Sequence, residues 1–189
     1  MIFYIHGFNS GKDSSTGKLL EAQVGRPVCR LQYDCSKPFK DNLEALTDEI
    51  WKKSDCFDVV VGCSLGGFYA IEAANVLQFC AVVFNPAMKP RTQLRQFLGE
   101  NVNFATGEKW IFTEDVLNTY PDELKAPSHL PIKAYASFKD EVLPGNAEIA
   151  KNEFKLFEPI DSGHRITDFS KYVDLITAYE NILGISPDE

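Results

Sequence analysis

Residues 59–67 read Val-Val-Val-Gly-Cys-Ser-Leu-Gly-Gly, and this segment is the main indication of the fold. The valines indicate a buried strand, and the residues from Phe68 to Gln78 have a helical pattern. A strand, a tight turn with serine at its apex and then a helix form the context in which Gly-x-Ser-x-Gly carries a catalytic serine. The turn strains the serine backbone, and the glycines let neighbouring backbone pass without a clash. Ser64 is therefore the predicted nucleophile.

Short apolar runs alternate with helical patterns along the rest of the chain. The strand-like runs are Ile2–Ile5, Val28–Tyr33, Val59–Val61, Ala81–Phe84, Ile132–Ser137 and Phe154–Phe157. Asp41 or Asn42 is the expected cap of one helix, and the last helix is expected to run from Thr167 or Asp168 to Gly184. The alternation predicts an α/β three-layer sandwich with a mostly parallel sheet of about six strands.

One segment interrupts the alternation. Residues 86–131 contain five prolines and no strand signal. The segment is too long for an ordinary connection, and it follows the strand after the Ser64 helix, where a lid would cover a site at the strand ends. We therefore predict a single domain, residues 1–189, that carries a helical lid insertion at about 86–131.

Three histidines are available to activate Ser64, because a serine hydroxyl needs a base to take its proton. His6 ends the first strand, and His129 lies in the insertion between prolines. His164 follows the last strand, and it alone fits the chain order Ser, acid, His at a strand end. His164 is therefore the predicted base.

The acid that orients His164 is predicted to be Asp140, directly after the fifth strand-like run. Glu141 remains an alternative, since adjacent side chains usually point apart and only one can face the imidazole. Asp161 and Asp168 lie on the loop of the histidine itself, and they are interpreted as turn and cap residues.

The oxyanion of an acyl-transfer reaction needs backbone N–H donors. Leu65 follows the nucleophile at a helix N-terminus, and Phe8 lies in the loop after the first strand, so these two N–H groups are predicted to form the oxyanion hole. His6 is interpreted as an anchor of that loop. Asn9 and Asn85 are candidate substrate-binding residues.

Two features near the nucleophile have a simpler interpretation. Cys63 precedes the apex of the turn and is expected to point into the fold as a buried cysteine. Lys89, Arg91 and Arg95 are expected to form a solvated helix face, with steering of an anionic substrate as the alternative.

Composition excludes several classes of function. A net charge of −8 and a pI near 4.9 argue against nucleic acid and anionic membrane surfaces as partners. The five scattered cysteines have no zinc spacing, and no apolar stretch approaches the ~18 residues of a membrane span. A strand-like run at Ile2 leaves no place for a signal peptide. The expectation is a cytoplasmic protein that acts on a small molecule without cofactor or metal; the oligomeric state is not indicated.

With these residues assigned, the chain resembles the small bacterial YqiA/YcfP-like esterase family of the α/β-hydrolases. The matching motifs are residues 6–10 (His-Gly-Phe-Asn-Ser), 62–67, 85–87, 140–143 and 163–164. The resemblance implies a reduced hydrolase core that starts at the oxyanion strand. It also implies esterase-type activity with a triad carried onto Ser64, Asp140 and His164.

The leading hypothesis is a serine hydrolase that cleaves carboxylic esters or thioesters through an acyl-enzyme. The alternative is a hydrolase-fold binding or regulatory protein without turnover, since fold does not dictate function. Acyl transfer or C–C cleavage by the same groups also stays open.

Overall fold

A central parallel sheet organises the computed structural model, which describes residues 1–54 and 58–181. Its strands are β1 (Ile2–Ile5), β2 (Cys29–Leu31), β3 (Val59–Cys63), β4 (Cys80–Phe84), β7 (Ile132–Ala136) and β8 (Leu156–Pro159). They lie in the spatial order β2-β1-β3-β4-β7-β8, and every neighbouring pair is parallel. A separate antiparallel pair consists of β5 (Gly99–Val102) and β6 (Lys109–Phe112).

Helices cover both faces of the sheet. They are α1 (Ser15–Val24), α2 (Phe39–Lys53), α3 (Leu65–Leu77), α4 (Pro90–Leu94), α5 (Glu114–Leu117), α6 (Asn146–Glu153) and α7 (Val173–Glu180). One apolar cluster joins α2, α3, α6 and the insertion to the sheet, and a second joins α1 and α7 to its other face. The predicted three-layer α/β sandwich is therefore confirmed. Within the described ranges, no helix has both the length and the apolar character that a membrane span requires.

The strand order determines where a site can form. After β1 the chain pairs β2 on one side and then crosses to place β3 on the other side of β1. Such a change of direction leaves a crevice at the carboxyl ends of the two strands, and ligands of open α/β sheets bind there. The residues that follow β1 and β3 lie at this point.

The predicted strands are confirmed, with ends shifted by at most two residues. The second helix begins at Phe39, before Asp41 and Asn42, so the expected cap was wrong. The Asn42 amide instead donates to the Asp34 carbonyl at 2.8 Å, which ties the helix to the loop before it. Helices α1 and α6 were not predicted.

The last helix also begins later than expected. The Asp168 carboxylate accepts from the backbone N–H of Ser170, the first residue of a 3-10 turn (Ser170–Tyr172), and the α-helix begins only at Val173. The expected end at Gly184 lies outside the described residues.

The insertion contains a β-hairpin, so the prediction of a purely helical segment without strands was wrong. Its turn is made by Asn103, whose Oδ1 accepts from the N–H groups of Ala105 at 2.8 Å and Thr106 at 3.1 Å. Gly107 then takes a left-handed conformation with φ 74°, which glycine adopts without strain. Exposure alternates along β5, the period expected of a strand with one face on the protein.

Candidate active site

Ser64 stands on the sharp turn between β3 and α3, with φ 58° and ψ −126°. Its backbone N–H donates to the Phe84 carbonyl at 3.0 Å, which fixes the turn against the neighbouring strand. A Cβ on Gly62 would lie 2.2 Å from the Gly66 carbonyl oxygen, and one on Gly66 would lie 2.1 Å from the Ile5 carbonyl oxygen. The backbone therefore passes so closely here that only glycine fits, as the motif predicted.

The imidazole of His164 is held by Asp140. His164 Nδ1 lies 2.8 Å from Oδ2 and 3.0 Å from Oδ1 of the carboxylate, which also accepts the N–H groups of Val142 and Leu143 at 2.9 and 2.8 Å. Burial by itself would raise the pKa of Asp140, but the hydrogen bonds from His164 and the backbone outweigh it and lower that pKa. The ionised carboxylate orients Nδ1–H and leaves Nε2 as the basic nitrogen.

Glu141 holds the same histidine at another point. Its Oε2 accepts the backbone N–H of His164 at 2.9 Å. A Cβ on Gly163 would lie 2.7 Å from that oxygen, so glycine gives the carboxylate room to reach the loop. The two adjacent carboxylates thus bind different parts of His164: Asp140 contacts its imidazole and Glu141 contacts its backbone N–H.

Asn85 joins the loop of His164 to the end of the strand that precedes Asp140. Its Nδ2 donates to the carbonyls of His164 at 2.8 Å and Gly163 at 3.2 Å, and its Oδ1 accepts the N–H of Ser137 at 2.8 Å. The side chain is almost completely buried and does not line the cavity described below. Sequence reasoning named Asn85 but did not find this bridging position, which depends on tertiary contacts.

The two remaining histidines lie outside the cavity that contains Ser64. His129 is exposed and its Nε2 lies 2.9 Å from Oε1 of Gln78. His6 is fully buried, stacks on the ring of Tyr33 with centroids 4.3 Å apart, and places Nδ1 2.8 Å from the Gly7 carbonyl oxygen. Because a carbonyl only accepts, we assign the hydrogen of the neutral His6 ring to Nδ1.

This bond orients the peptide that carries the predicted oxyanion donor. The Gly7 carbonyl and the Phe8 N–H belong to one planar, trans peptide unit, so they point in opposite directions. By holding the carbonyl, His6 fixes the direction of the Phe8 N–H. The position agrees with the loop anchor expected from the sequence.

The buried ring of His6 is expected to make stability depend on pH. Burial lowers its pKa from 6.5 to about 4, so between these values the unfolded chain binds a proton that the folded chain does not. The free energy of unfolding should therefore fall by about 3 kcal/mol from this residue as pH drops from 6.5 to 4. Urea unfolding of wild type and His6→Asn across this range measures it, and equal pH slopes for the two proteins would refute the assignment.

Two residues that line the site have backbone N–H groups without acceptors in the described part of the chain. Neither the N–H of Phe8 nor that of Leu65 meets a hydrogen-bond acceptor among the residues that the structure describes. Leu65 opens the 13-residue α3, and the first N–H groups of a helix have no intrahelical partner. A Cβ on Gly7 would lie 3.4 Å from Ser64 Cβ, so the loop with Phe8 passes directly beside the serine.

A cavity of about 650 Å³ contains these groups. Ser64, His164, Phe8 and Leu65 all line it, together with apolar side chains of the insertion and polar side chains that precede and open α1. In the described part of the chain, neither Ser64 Oγ nor His164 Nε2 has a hydrogen-bond partner. The structure thus joins His164 to Asp140 directly, and it brings Ser64 to the same cavity without a bond to the histidine.

Asn9 also lines this cavity, but its side chain is already bonded to protein. Its Oδ1 accepts from Trp110 Nε1 at 2.7 Å and its Nδ2 donates to Asn101 Oδ1 at 2.8 Å. The amide is thereby turned toward the hairpin. Its substrate-binding role stays a prediction from the sequence.

Cys63 is half-buried: it packs against the core beside Tyr4 and also lines the cavity, so the expectation of a buried cysteine is confirmed only in part. Its thiol lies next to the buried Tyr4 hydroxyl. Burial raises the pKa of Cys63 to about 12, and a protonated thiol is a poor nucleophile.

The basic residues of the insertion have acidic neighbours on the surface. The pairs are Lys89–Glu123 at 3.3 Å, Arg91–Asp122 at 2.9 Å and Arg95–Glu114 at 3.1 Å. These contacts support the interpretation as a solvated face, since their charges are locally compensated.

Comparison with known proteins agrees with this architecture. The profile of the Uncharacterised protein family (UPF0227) matches residues 1–181. A UPF0227 protein named YcfP from Salmonella paratyphi A is 31% identical over 188 residues, which is 96% of this chain and 99% of that protein.

Two solved structures are similar in fold. Mouse alpha/beta hydrolase domain-containing protein 10 has a TM-score of 0.69 at 15% identity, over 94% of this chain and 86% of that one. The esterase domain of a Rhodothermus marinus protein has a TM-score of 0.67 at 15% identity, over 95% and 85%. At such identities the likeness concerns the fold, which is that of the α/β-hydrolases.

Proposed function

Since the chain belongs to the UPF0227 family and has the α/β-hydrolase fold, we propose that it is a serine hydrolase that cleaves carboxylic esters or thioesters through an acyl-enzyme. One observation carries the proposal: a single cavity holds Ser64 on a strained turn, His164 oriented by an ionised Asp140, and two backbone N–H groups without acceptors. A site with these groups supplies a nucleophile, a base and an oxyanion hole.

In the first half of the reaction, Ser64 Oγ attacks the carbonyl carbon while its proton passes to His164 Nε2. The carbonyl oxygen becomes an oxyanion that accepts from the N–H groups of Phe8 and Leu65. The C–O or C–S bond to the leaving group then breaks, and the alkoxide or thiolate takes the proton from Nε2. The acyl group remains on Ser64.

Water completes the cycle by the same steps. His164 Nε2 takes a proton from the water as its oxygen attacks the acyl carbon, and the collapsing intermediate returns that proton to Ser64 Oγ. Asp140 stabilises the imidazolium that forms in each half and does not itself take the proton.

The cavity supports an ester with an apolar acyl group. Its volume of about 650 Å³ lies in the range of small-molecule sites, and Phe8, Leu94, Phe97 and Leu143 supply apolar wall. Asn9 and Asn85 are given no substrate contact in this proposal, because the polar atoms of both side chains have protein partners.

A fluorophosphonate probe tests the proposal, since it reacts with an activated serine. Wild type should be labelled at Ser64, as located by mass spectrometry, and Ser64→Ala should not be labelled. Ser10→Ala is the matched control, because Ser10 also lines the cavity and its loss should leave labelling intact. Absence of labelling in folded wild type, or equal labelling of Ser64→Ala, would refute the hydrolase mechanism.

The second candidate is a hydrolase-fold protein that binds its ligand without turnover. The observation in its favour is the missing hydrogen bond between Ser64 Oγ and His164 Nε2 in the described residues. Such bonds are often long or absent before substrate binds, so the labelling experiment decides between the two: a silent binder gives no adduct.

A further inference from the structure

The β5–β6 hairpin is fastened to the loop that carries the proposed oxyanion donor Phe8. Four hydrogen bonds join them: Trp110 Nε1 to Asn9 Oδ1 at 2.7 Å, Asn9 Nδ2 to Asn101 Oδ1 at 2.8 Å, Phe104 N to the Asn9 carbonyl at 2.7 Å, and Asn103 Nδ2 to the Ser10 carbonyl at 3.0 Å. Three of the four involve Asn9. This residue is 5% exposed, so these bonds are shielded from competing water.

Aromatic packing reinforces the same contact. The ring of Phe8 lies 5.0 Å from that of Phe97, 5.5 Å from that of Trp110 and 5.3 Å from that of Phe112, between ring centroids. All three partners belong to the insertion. The side chain of the proposed donor residue therefore packs against the segment that also forms a wall of the cavity.

The backbone of Asn9 shows why these bonds matter for Phe8. Asn9 has φ 57°, a left-handed conformation that non-glycine residues seldom adopt and that asparagine tolerates better than most. The bonds from Trp110 and Asn101 hold it there, directly after Phe8. The peptide with the Phe8 N–H is thus fixed on its N-terminal side by His6 and on its C-terminal side by the hairpin.

We propose that Asn9, Asn101 and Trp110 are positioning residues for the oxyanion hole, so that the hairpin, together with His6, sets the direction of the Phe8 N–H. The inference rests on the proposed function, since it concerns a donor in that reaction. It assigns the hairpin a part in transition-state stabilisation beyond that of a cavity wall. Misdirection of the donor weakens its hydrogen bond to the oxyanion more than it weakens the contacts to bound substrate. The value of kcat should therefore fall, and KM should stay nearly unchanged.

Two variants remove the bonds with little other change. Asn9→Gly keeps the left-handed backbone, which glycine adopts freely, and deletes both side-chain bonds. Trp110→Phe keeps an aromatic ring beside Phe8 and deletes the Nε1–H donor. The control is Thr106→Val, which removes the bond from the Glu108 N–H to Thr106 Oγ1 within the same hairpin and does not reach the loop of residues 7–10.

Each protein is assayed for kcat and KM on a soluble short-chain ester, with thermal unfolding to verify that it is folded at the assay temperature. Loss of a whole oxyanion donor costs about 10²–10³ in kcat, so misdirection should cost about 10- to 100-fold in Asn9→Gly and about 10-fold in Trp110→Phe. KM should change by less than about threefold, and Thr106→Val should stay within about twofold of wild type. The inhibition constant of an alkyl boronic acid, which forms a tetrahedral adduct on serine, should rise in parallel with the loss in kcat.

The outcomes separate the inference from the proposed function. If wild type is active and labelled but kcat is unchanged in both variants, the inference alone is overturned. The same holds if KM rises while kcat is unchanged, because the hairpin would then contribute only to substrate binding. If Asn9→Gly does not fold, Trp110→Phe decides. Wild type that neither turns over ester nor takes the fluorophosphonate probe overturns the proposed function, and the inference falls with it.

Discussion

Replacement of Ser64 by alanine is expected to lower kcat for ester hydrolysis by about 10⁶-fold, and replacement of His164 by alanine should cost about as much. Without the hydroxyl no acyl-enzyme forms, and without the imidazole the hydroxyl keeps its proton. The residual rate should come from the N–H groups of Phe8 and Leu65 and from substrate binding. Steady-state kinetics with a chromogenic ester measures the loss.

The double variant Ser64→Ala/His164→Ala distinguishes a catalytic unit from two separate contributors. Because each residue works only through the other, its kcat should be no lower than that of either single variant. Cys63→Ala is the control next to the nucleophile: with a pKa of about 12 its thiol is protonated, and its loss should change kcat by less than about threefold. Additive losses in the double variant would contradict the proposed mechanism.

Replacement of Asp140 by asparagine is expected to lower kcat by about 10⁴-fold with little loss of structure. An amide nitrogen facing His164 Nδ1 would donate to it, so the ring hydrogen would move to Nε2 and the base would be lost. The amide oxygen can still accept from the N–H groups of Val142 and Leu143, which keeps the loop folded. Kinetics and near-UV circular dichroism of the variant test both parts of this expectation.

Glu141→Gln is the matched comparison. Its amide oxygen can still accept the His164 N–H that Glu141 Oε2 accepts at 2.9 Å, so the loss in kcat should stay below about tenfold. A loss for Glu141→Gln as large as that for Asp140→Asn would reverse the assignment of the acid.

The sequence was most informative where a position depends on a local backbone pattern. Ser64 could be placed on the turn before α3 because valines, glycines and a helical pattern surround it in a strict order, and His164 on the loop after β8 because it follows a strand. The hydrogen bond from the His164 backbone N–H to Glu141 joins residues that are 23 positions apart, and no local sequence pattern indicates such a contact. The one signal was Gly163, since a glycine before the histidine leaves space for a neighbouring group.

The hairpin was missed for a different reason. Its strands have four residues each, too short for a clear alternating pattern, and the prolines elsewhere in the insertion are typical of irregular structure. Turn residues were nevertheless visible at Asn103 and Gly107. The bonds from Asn9 to Asn101 and Trp110 cross about 90 to 100 residues, and only the packing of the insertion on the first loop creates them.

The parallel strand order has a consequence for the chain during synthesis. The turn with Ser64 can close once β1 and β3 pair, when the chain as far as the start of α3 has left the ribosome. Asp140 follows β7, which pairs with β4 only after the whole insertion has been made. His164 comes later still. In the proposed mechanism, a nascent chain therefore carries its nucleophile long before it has an acid or a base, and hydrolytic activity must wait until the chain has been made as far as His164.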